Sequence, residues 1–266
     1  MKCMTQQKHN ELPLRRAMIL AAGMGTRLKP LTDRMPKALV EVGGIPLIMR
    51  QLLDLKKYGF NDITVNVHHF ADMLCRYIAN NKPSGIEVHI SSERERLLNT
   101  GGALKRAADI LLADNYTQPI LVHNVDILSN VDIDAFFKSS LNHDATLLVS
   151  KRKSNRQLYF SPETMRLQGW QNLTTGEMRS PYPDFTPDKC VNYAFSGIHA
   201  LSPWAIKAMN DWPDEFSIID FYLKECVMLD IRGVVSDNLK LLDVGKLDTL
   251  READEFAKEL ARDCVG

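Results

Sequence analysis

The sequence predicts an α/β protein with a doubly wound, mostly parallel sheet. Three observations lead there. Apolar runs of strand length alternate with longer segments of helical spacing along most of the chain. The first run, Ala17-Met18-Ile19-Leu20-Ala21-Ala22, breaks at a glycine-containing loop, Gly23-Met24-Gly25-Thr26, as a first strand does where it meets a ligand. Two acids, Asp126 and Asp243, each follow an apolar run, where strands of such a sheet open into a crevice.

The elements follow in order. Residues 1–16 are polar and read as a flexible extension to a single domain over 17–264. Arg15-Arg16 before an apolar stretch resembles a signal peptide, but the stretch is too short and Arg27 and Lys29 follow closely. Glu41-Val42-Gly43-Gly44 is a turn, and a helix begins at Ile45-Pro46, with Gly59 as its stop. Asp62 to Val67 is a β-branched strand, Ala71 to Ala79 a helix, and Ile86 to Ile90 an alternating strand. Thr100-Gly101-Gly102 opens a helix to about Leu112; Pro119 to His123 is a strand ending at Asn124-Val125-Asp126. Asp132 to Leu141 reads as helix and Ala145 to Ser150 as strand.

Residues 151–190 break the pattern. Tyr159-Phe160 and Met165-Arg166-Leu167 suit hairpin strands, and 174–187, rich in turn formers, reads as a loop or lid over an acceptor site. Val191 to Ala200 returns to strand, and Pro203 to Met209 is a short helix. Ser217 caps a helix from Ile218 to Leu229. Strands at Ile231 to Val235 and Lys240 to Leu242 and a helix from about Leu247 to Arg262 complete the chain.

The chain's 266 residues suffice for one sizeable core, and 33 basic against 33 acidic residues give no net charge. That balance argues against a nucleic-acid partner; any basic site must be local. Five cysteines, at 3, 75, 190, 226 and 264, include no Cys-x-x-Cys pair and suit free thiols in a reducing, cytoplasmic setting. No run approaches a membrane span, so no membrane partner is expected. The sequence leaves the oligomeric state open.

The stretch Leu20 to Leu39 carries the chemistry. Gly23 and Gly25 let backbone approach a ligand, their N–H groups can form an anion nest, and Arg27 and Lys37 add positive charge. This is a phosphate site at the end of a first strand. A dinucleotide fingerprint needs glycine where Leu28 stands, and a P-loop needs Gly-Lys-Ser/Thr, which is absent. The stretch resembles the signature of sugar-1-phosphate nucleotidyltransferases, L-A-A-G-x-G-T-R-L-x-P-L-T-x-x-x-P-K-x-L, at every fixed position.

That resemblance implies a Rossmann-like sheet of the GT-A-like type with a small inserted sugar-binding region. It implies a Mg²⁺-dependent transfer from a nucleoside triphosphate to a sugar 1-phosphate. Asp126, in Asn124-Val125-Asp126 where relatives have Asn-Gly-Asp, and Asp243, in Asp243-Val244-Gly245, would hold the metal. Arg27 would grip the β- and γ-phosphates and Lys37 the α-phosphate, making Arg27, Lys37 and Asp126 the catalytic set. Leu20, Ala21, Ala22, Gly23, Gly25 and Thr26 would line the nucleotide, with Glu93, Gly101 and Gly102 at the base. Asn124, Ser196 and Gly197 would meet the sugar.

One departure stands out. Many relatives carry Glu-Lys-Pro, whose lysine holds the sugar phosphate; this region reads Leu167-Gln168-Gly169-Trp170-Gln171. The phosphate would then be held by the metal together with Arg179 or Lys189. The same absence, with Asn99-Thr100-Gly101-Gly102, Phe195-Ser196-Gly197 and Asp243-Val244-Gly245, is similar to the compact N-acetylmuramate α-1-phosphate uridylyltransferases. UTP with N-acetylmuramate 1-phosphate is therefore the expected pair, and GTP with mannose or heptose 1-phosphate the alternative. A non-catalytic regulator that binds nucleotide or sugar phosphate is the reading outside this class.

Overall fold

The computed structural model describes residues 14–263; the expected extension lies outside them except for Leu14, Arg15 and Arg16. Strand β1 (Arg16–Leu20) leads through three single 3₁₀ turns to a two-residue hairpin, β2 (Glu41–Val42) and β3 (Ile45–Pro46). Then come α1 (Leu47–Lys57), β4 (Asp62–Val67), α2 (Ala71–Asn81), β5 (Glu87–Ser92), α3 (Asn99–Leu111), β6 (Ile120–Asn124) and β7 (Ile127–Ser129). Next are α4 (Ile133–Ser139), β8 (Ala145–Ser150), β9 (Arg156–Phe160), β10 (Leu167–Asn172), β11 (Met178–Arg179) and β12 (Val191–Leu201). The chain closes with α5 (Pro203–Ala208), α6 (Ile218–Glu225), β13 (Ile231–Val235), β14 (Leu241–Asp243) and α7 (Leu250–Asp263).

The central sheet runs β13-β8-β12-β6-β1-β4-β5. Its neighbours pair in parallel except around β12, which is antiparallel to both β6 and β8. Ala17 of β1 lies opposite Ile63 on one side and Leu121 on the other. Successive β1 residues serve opposite faces. Ala17 and Ile19 pack with residues of α1, α2, α4 and α7; Met18 packs with α3, α5 and α6. Burial of both faces suits the continuous apolar runs of a parallel sheet.

The polar exceptions are tied down. Arg16 is 3% exposed. Its guanidinium meets Asp62 at 2.9 Å and Asp114 at 3.1 Å and donates to the carbonyls of Leu111 and Ala113. Arg15 reaches Asp134 at 2.7 Å. Both arginines thus belong to the folded unit and not to an extension, because each neutralises an acid of that unit.

Three elements differ from expectation. The first helix begins at Leu47, because Ile45-Pro46 pairs back on Glu41-Val42. Helix α6 stops at Glu225, four residues short of Leu229. Segment 174–187 is more than a loop of turn formers. It contains β11, which pairs antiparallel with β10. Arg179 binds Asp220 at 2.5 Å and stacks 4.2 Å from the Trp170 ring, and the Tyr182 hydroxyl donates to the Cys226 carbonyl at 2.9 Å. Strands β9, β10 and β11 form the inserted region and extend the sheet from the first residues of β12.

Candidate active site

Strands β1, β4, β5 and β6 are parallel, so their carboxyl ends emerge at one edge. A cleft of about 510 Å³ opens there. Leu20, Ala21, Ala22, Gly23, Gly25, Thr26, Arg27, Lys37, Glu93, Asn124 and Asp126 line it, as do Met24, Asn66, Leu97, Asn99, Thr100, Val125 and Gly245.

The glycine loop is shaped by Gly25. Its φ is +63°, which glycine adopts readily and most residues do not, and a Cβ there would lie 2.8 Å from Thr32 Cγ2. The Gly25 carbonyl accepts from Leu28 N–H at 2.8 Å and from the Thr32 hydroxyl at 2.9 Å. The loop is thus held by its own hydrogen bonds.

A buried relay fixes its position against the sheet. The Ala21 N–H donates to Asn66 Oδ1 at 2.6 Å, and Asn66 Nδ2 donates to Glu93 Oε1 at 2.7 Å. The other Glu93 oxygen accepts from Leu98 N–H at 2.9 Å, just before α3. Asn66 and Glu93 are each 3% exposed. Glu93 thus borders the cleft and also holds it together. A polar Asn inside the apolar strand Asp62 to Val67 was the signal for Asn66.

Charge converges at the other end. Lys37, 8% exposed, forms an ion pair with Asp126. Asp243 ends β14, whose pairing with β7 sets Asp243 opposite Ile127, and Val244 N–H donates to the Asp126 carbonyl at 2.9 Å. The Asp243 carboxyl is held above the ordinary carboxylate range. Crowding by protein atoms is the main cause and the charge of Asp126 the second, with Lys37, Arg27 and Arg152 pulling the other way. A Cβ on Gly245 would lie 2.8 Å from Asp243 Oδ1 and 2.9 Å from Arg27 Nη2, so Arg27 and Asp243 flank that turn together.

Two acids converging with few other anionic partners suit a divalent cation. Among the described residues there is no group of three or more His, Cys, Asp and Glu able to hold a metal. An ion between Asp126 and Asp243 would therefore need oxygen ligands from substrate, and Mg²⁺ is commonly held by one or two carboxylates plus phosphates.

Four expected residues have other surroundings. Gly101 and Gly102 donate their N–H groups to the Phe216 carbonyl. A Cβ on Gly101 would lie 2.3 Å from the Phe216 ring, and one on Gly102 2.1 Å from the Asp214 carbonyl oxygen. Their small size lets α3 pack on the segment before α6, while Leu97, Asn99 and Thr100 face the cleft. Ser196 is 1% exposed and spends its hydroxyl on the Leu148 carbonyl at 2.8 Å. Gly197 touches the site through Asn124, whose Nδ2 would lie 2.7 Å from a Cβ at that position. Val125, where relatives carry glycine, is 3% exposed and packs in the core. Arg152 enters the constellation from the end of β8, a position sequence reasoning missed because it sits in a run of turn formers.

The family profile described as Nucleotidyl transferase matches residues 16–160. An N-acetylmuramate alpha-1-phosphate uridylyltransferase of Caulobacter vibrioides is 43% identical over 112 residues, covering 41% of this chain and 45% of that protein. A mannose-1-phosphate guanyltransferase of Neurospora crassa is 38% identical over 140 residues, covering 51% of this chain and 37% of that protein. The match thus spans less than half the length of either relative. In three dimensions the chain resembles HddC from Yersinia pseudotuberculosis complexed with GMP-PN, with a TM-score of 0.70 and 23% identity, covering 92% of this chain and 100% of that one.

Proposed function

The chain belongs to the nucleotidyl transferase family, and from that premise we propose that it transfers a nucleotidyl group from a nucleoside triphosphate to a sugar 1-phosphate, releasing pyrophosphate. The observation that carries this reading is the convergence of Arg27, Lys37, Asp126 and Asp243 at the mouth of the cleft beside the Gly25 loop.

The chemistry asks little of the protein beyond charge and placement. An acceptor phosphate oxygen attacks the α-phosphorus, and the bond to the bridging oxygen of pyrophosphate breaks. Both partners are anionic, so they must be neutralised and aligned. The Gly25 loop offers backbone N–H groups, Arg27 takes the β- and γ-phosphates, and Lys37 takes the α-phosphate. Asp126 and Asp243 would hold Mg²⁺, which would neutralise phosphate charge and orient the groups. The base lies toward Asn66, Glu93, Leu97, Asn99 and Thr100, and the sugar toward Asn124.

UTP with N-acetylmuramate 1-phosphate is the first pair, supported by the similarity to the uridylyltransferases over 41% and 47% of this chain. GTP with mannose 1-phosphate is the second, supported by the guanyltransferase relatives. The regulator reading rests on the missing Glu-Lys-Pro lysine and on Val125, whose side chain packs in the core while bordering the cleft. Pyrophosphate release over a grid of four nucleoside triphosphates and a panel of sugar 1-phosphates, with Mg²⁺, tests the reading. It predicts a bright response at UTP with N-acetylmuramate 1-phosphate. A response at GTP with a hexose or heptose 1-phosphate would move the assignment within the class, and a dark grid with nucleotide binding intact would favour the regulator.

A further inference from the structure

We propose that Arg152 is the cation that binds the acceptor's phosphate, the role for which this chain has no Glu-Lys-Pro lysine. The inference rests on the transfer reading and assigns the acceptor side of the same site.

Topology places Arg152 there. Strands β6 and β8 are both antiparallel to β12, so their carboxyl ends emerge at the same edge. Asp126 lies two residues past the end of β6, and Arg152 two residues past the end of β8. The Gly25 loop after β1, Asn66 near the end of β4 and Glu93 after β5 lie on one side of β6; β12 and β8 lie on its other side. A triphosphate over β1 leaves the β12 side of Asp126 for the second substrate.

The side chain is set for a phosphate. Arg152 Nη2 donates to the Phe195 carbonyl at 2.7 Å, at the start of the irregular pairing of β12 with β8. That bond anchors one edge of the guanidinium, and the remaining donors have no partner among the described residues. The side chain reaches solvent, and it and Asp243 feel each other's charge. A sugar 1-phosphate is a monoester, largely doubly charged at neutral pH, and a planar guanidinium can offer it two parallel N–H bonds. The other candidate cations fit poorly. Arg179 is committed to Asp220 and the Trp170 ring. Lys189 is exposed in the 3₁₀ turn before β12, and its side chain has no hydrogen-bond or ion-pair partner among the described residues.

The test compares Arg152→Ala, Arg152→Lys and Arg179→Ala with the wild type on the active substrate pair. Arg152→Ala should raise the KM for the sugar 1-phosphate by about 10- to 100-fold. Triphosphate affinity by calorimetry and melting temperature should stay at the wild-type values. Arg152→Lys should fall between, and Arg179→Ala should keep the wild-type acceptor KM. An active wild type with an unchanged acceptor KM in Arg152→Ala, or with an equal loss of triphosphate affinity, overturns this inference alone. A wild type that releases no pyrophosphate with any acceptor overturns the transfer reading, and this inference with it.

Discussion

Glu93 carries more than one duty. Its two oxygens each accept one buried N–H, from Asn66 and from Leu98, and so join the glycine loop to the start of α3. Replacing it with alanine strands both donors, at a cost of about 1–3 kcal/mol for each group left unsatisfied. Glu93→Ala should therefore melt at a lower temperature and bind the triphosphate more weakly by calorimetry. Glu93→Gln keeps one acceptor oxygen and should lose less. Wild-type melting and affinity in Glu93→Ala would show that the relay does not set the loop. Glu93 was legible as a polar residue near a base site. The relay was not, because it depends on an asparagine on one strand and a backbone N–H on another.

At the scale of elements, the strand-end logic located the acids well. Asp126 and Asp243 each stand where an apolar run stops: Asp126 lies two residues past the end of β6, and Asp243 ends β14. The same logic applied to β8 would have reached Arg152, but Lys151-Arg152-Lys153 opens a stretch of turn formers and reads as solvated charge. The two-residue strand β11 was hidden for a similar reason: Met178-Arg179 is too short to show alternation. Gly101 and Gly102 illustrate a different limit. Glycine at a helix start reads alike whether a ligand or a phenyl ring comes close, and here Phe216 does. Gly101→Ala should destabilise the fold by about 1–3 kcal/mol through overpacking. Gly23→Ala, with open space around the added methyl and no positive φ, should unfold at the wild-type denaturant concentration. Equal midpoints for the two variants would contradict the packing role.

For the whole molecule, the alternation of runs made the sheet legible, while the order of its strands and the reversal of β12 came only from the pairing. That reversal buries His123 and His199 at the centre, 2% and 1% exposed. Burial pushes the His123 imidazole down to about 4 and, with the neighbouring His123, His199 down to about 3. The unfolded chain protonates these rings below about pH 6.5, while the folded chain keeps them neutral. Stability should therefore fall as pH drops from about 6.5 toward 4, by up to about 1.4 kcal/mol per pH unit for each ring. Asp54, pushed up to about 6 by burial, works the other way over part of that window and offsets one ring. Urea midpoints from pH 7.5 to 4.5 read the net slope; a flat profile would mean that the rings are not held neutral.

In the proposed transfer, Asp126 with a divalent metal does the chemistry at this edge of the sheet. The most direct measurement is steady-state pyrophosphate release on the active pair, for wild type, for Asp126→Asn, and for wild type with excess chelator. The account predicts that the substitution and the chelator each lower turnover by roughly 10²-fold or more, that added Mg²⁺ restores the chelated wild type, and that the melting temperature stays high enough for the variant to be folded in the assay. Undiminished pyrophosphate release in folded Asp126→Asn, or in the presence of chelator, would contradict it.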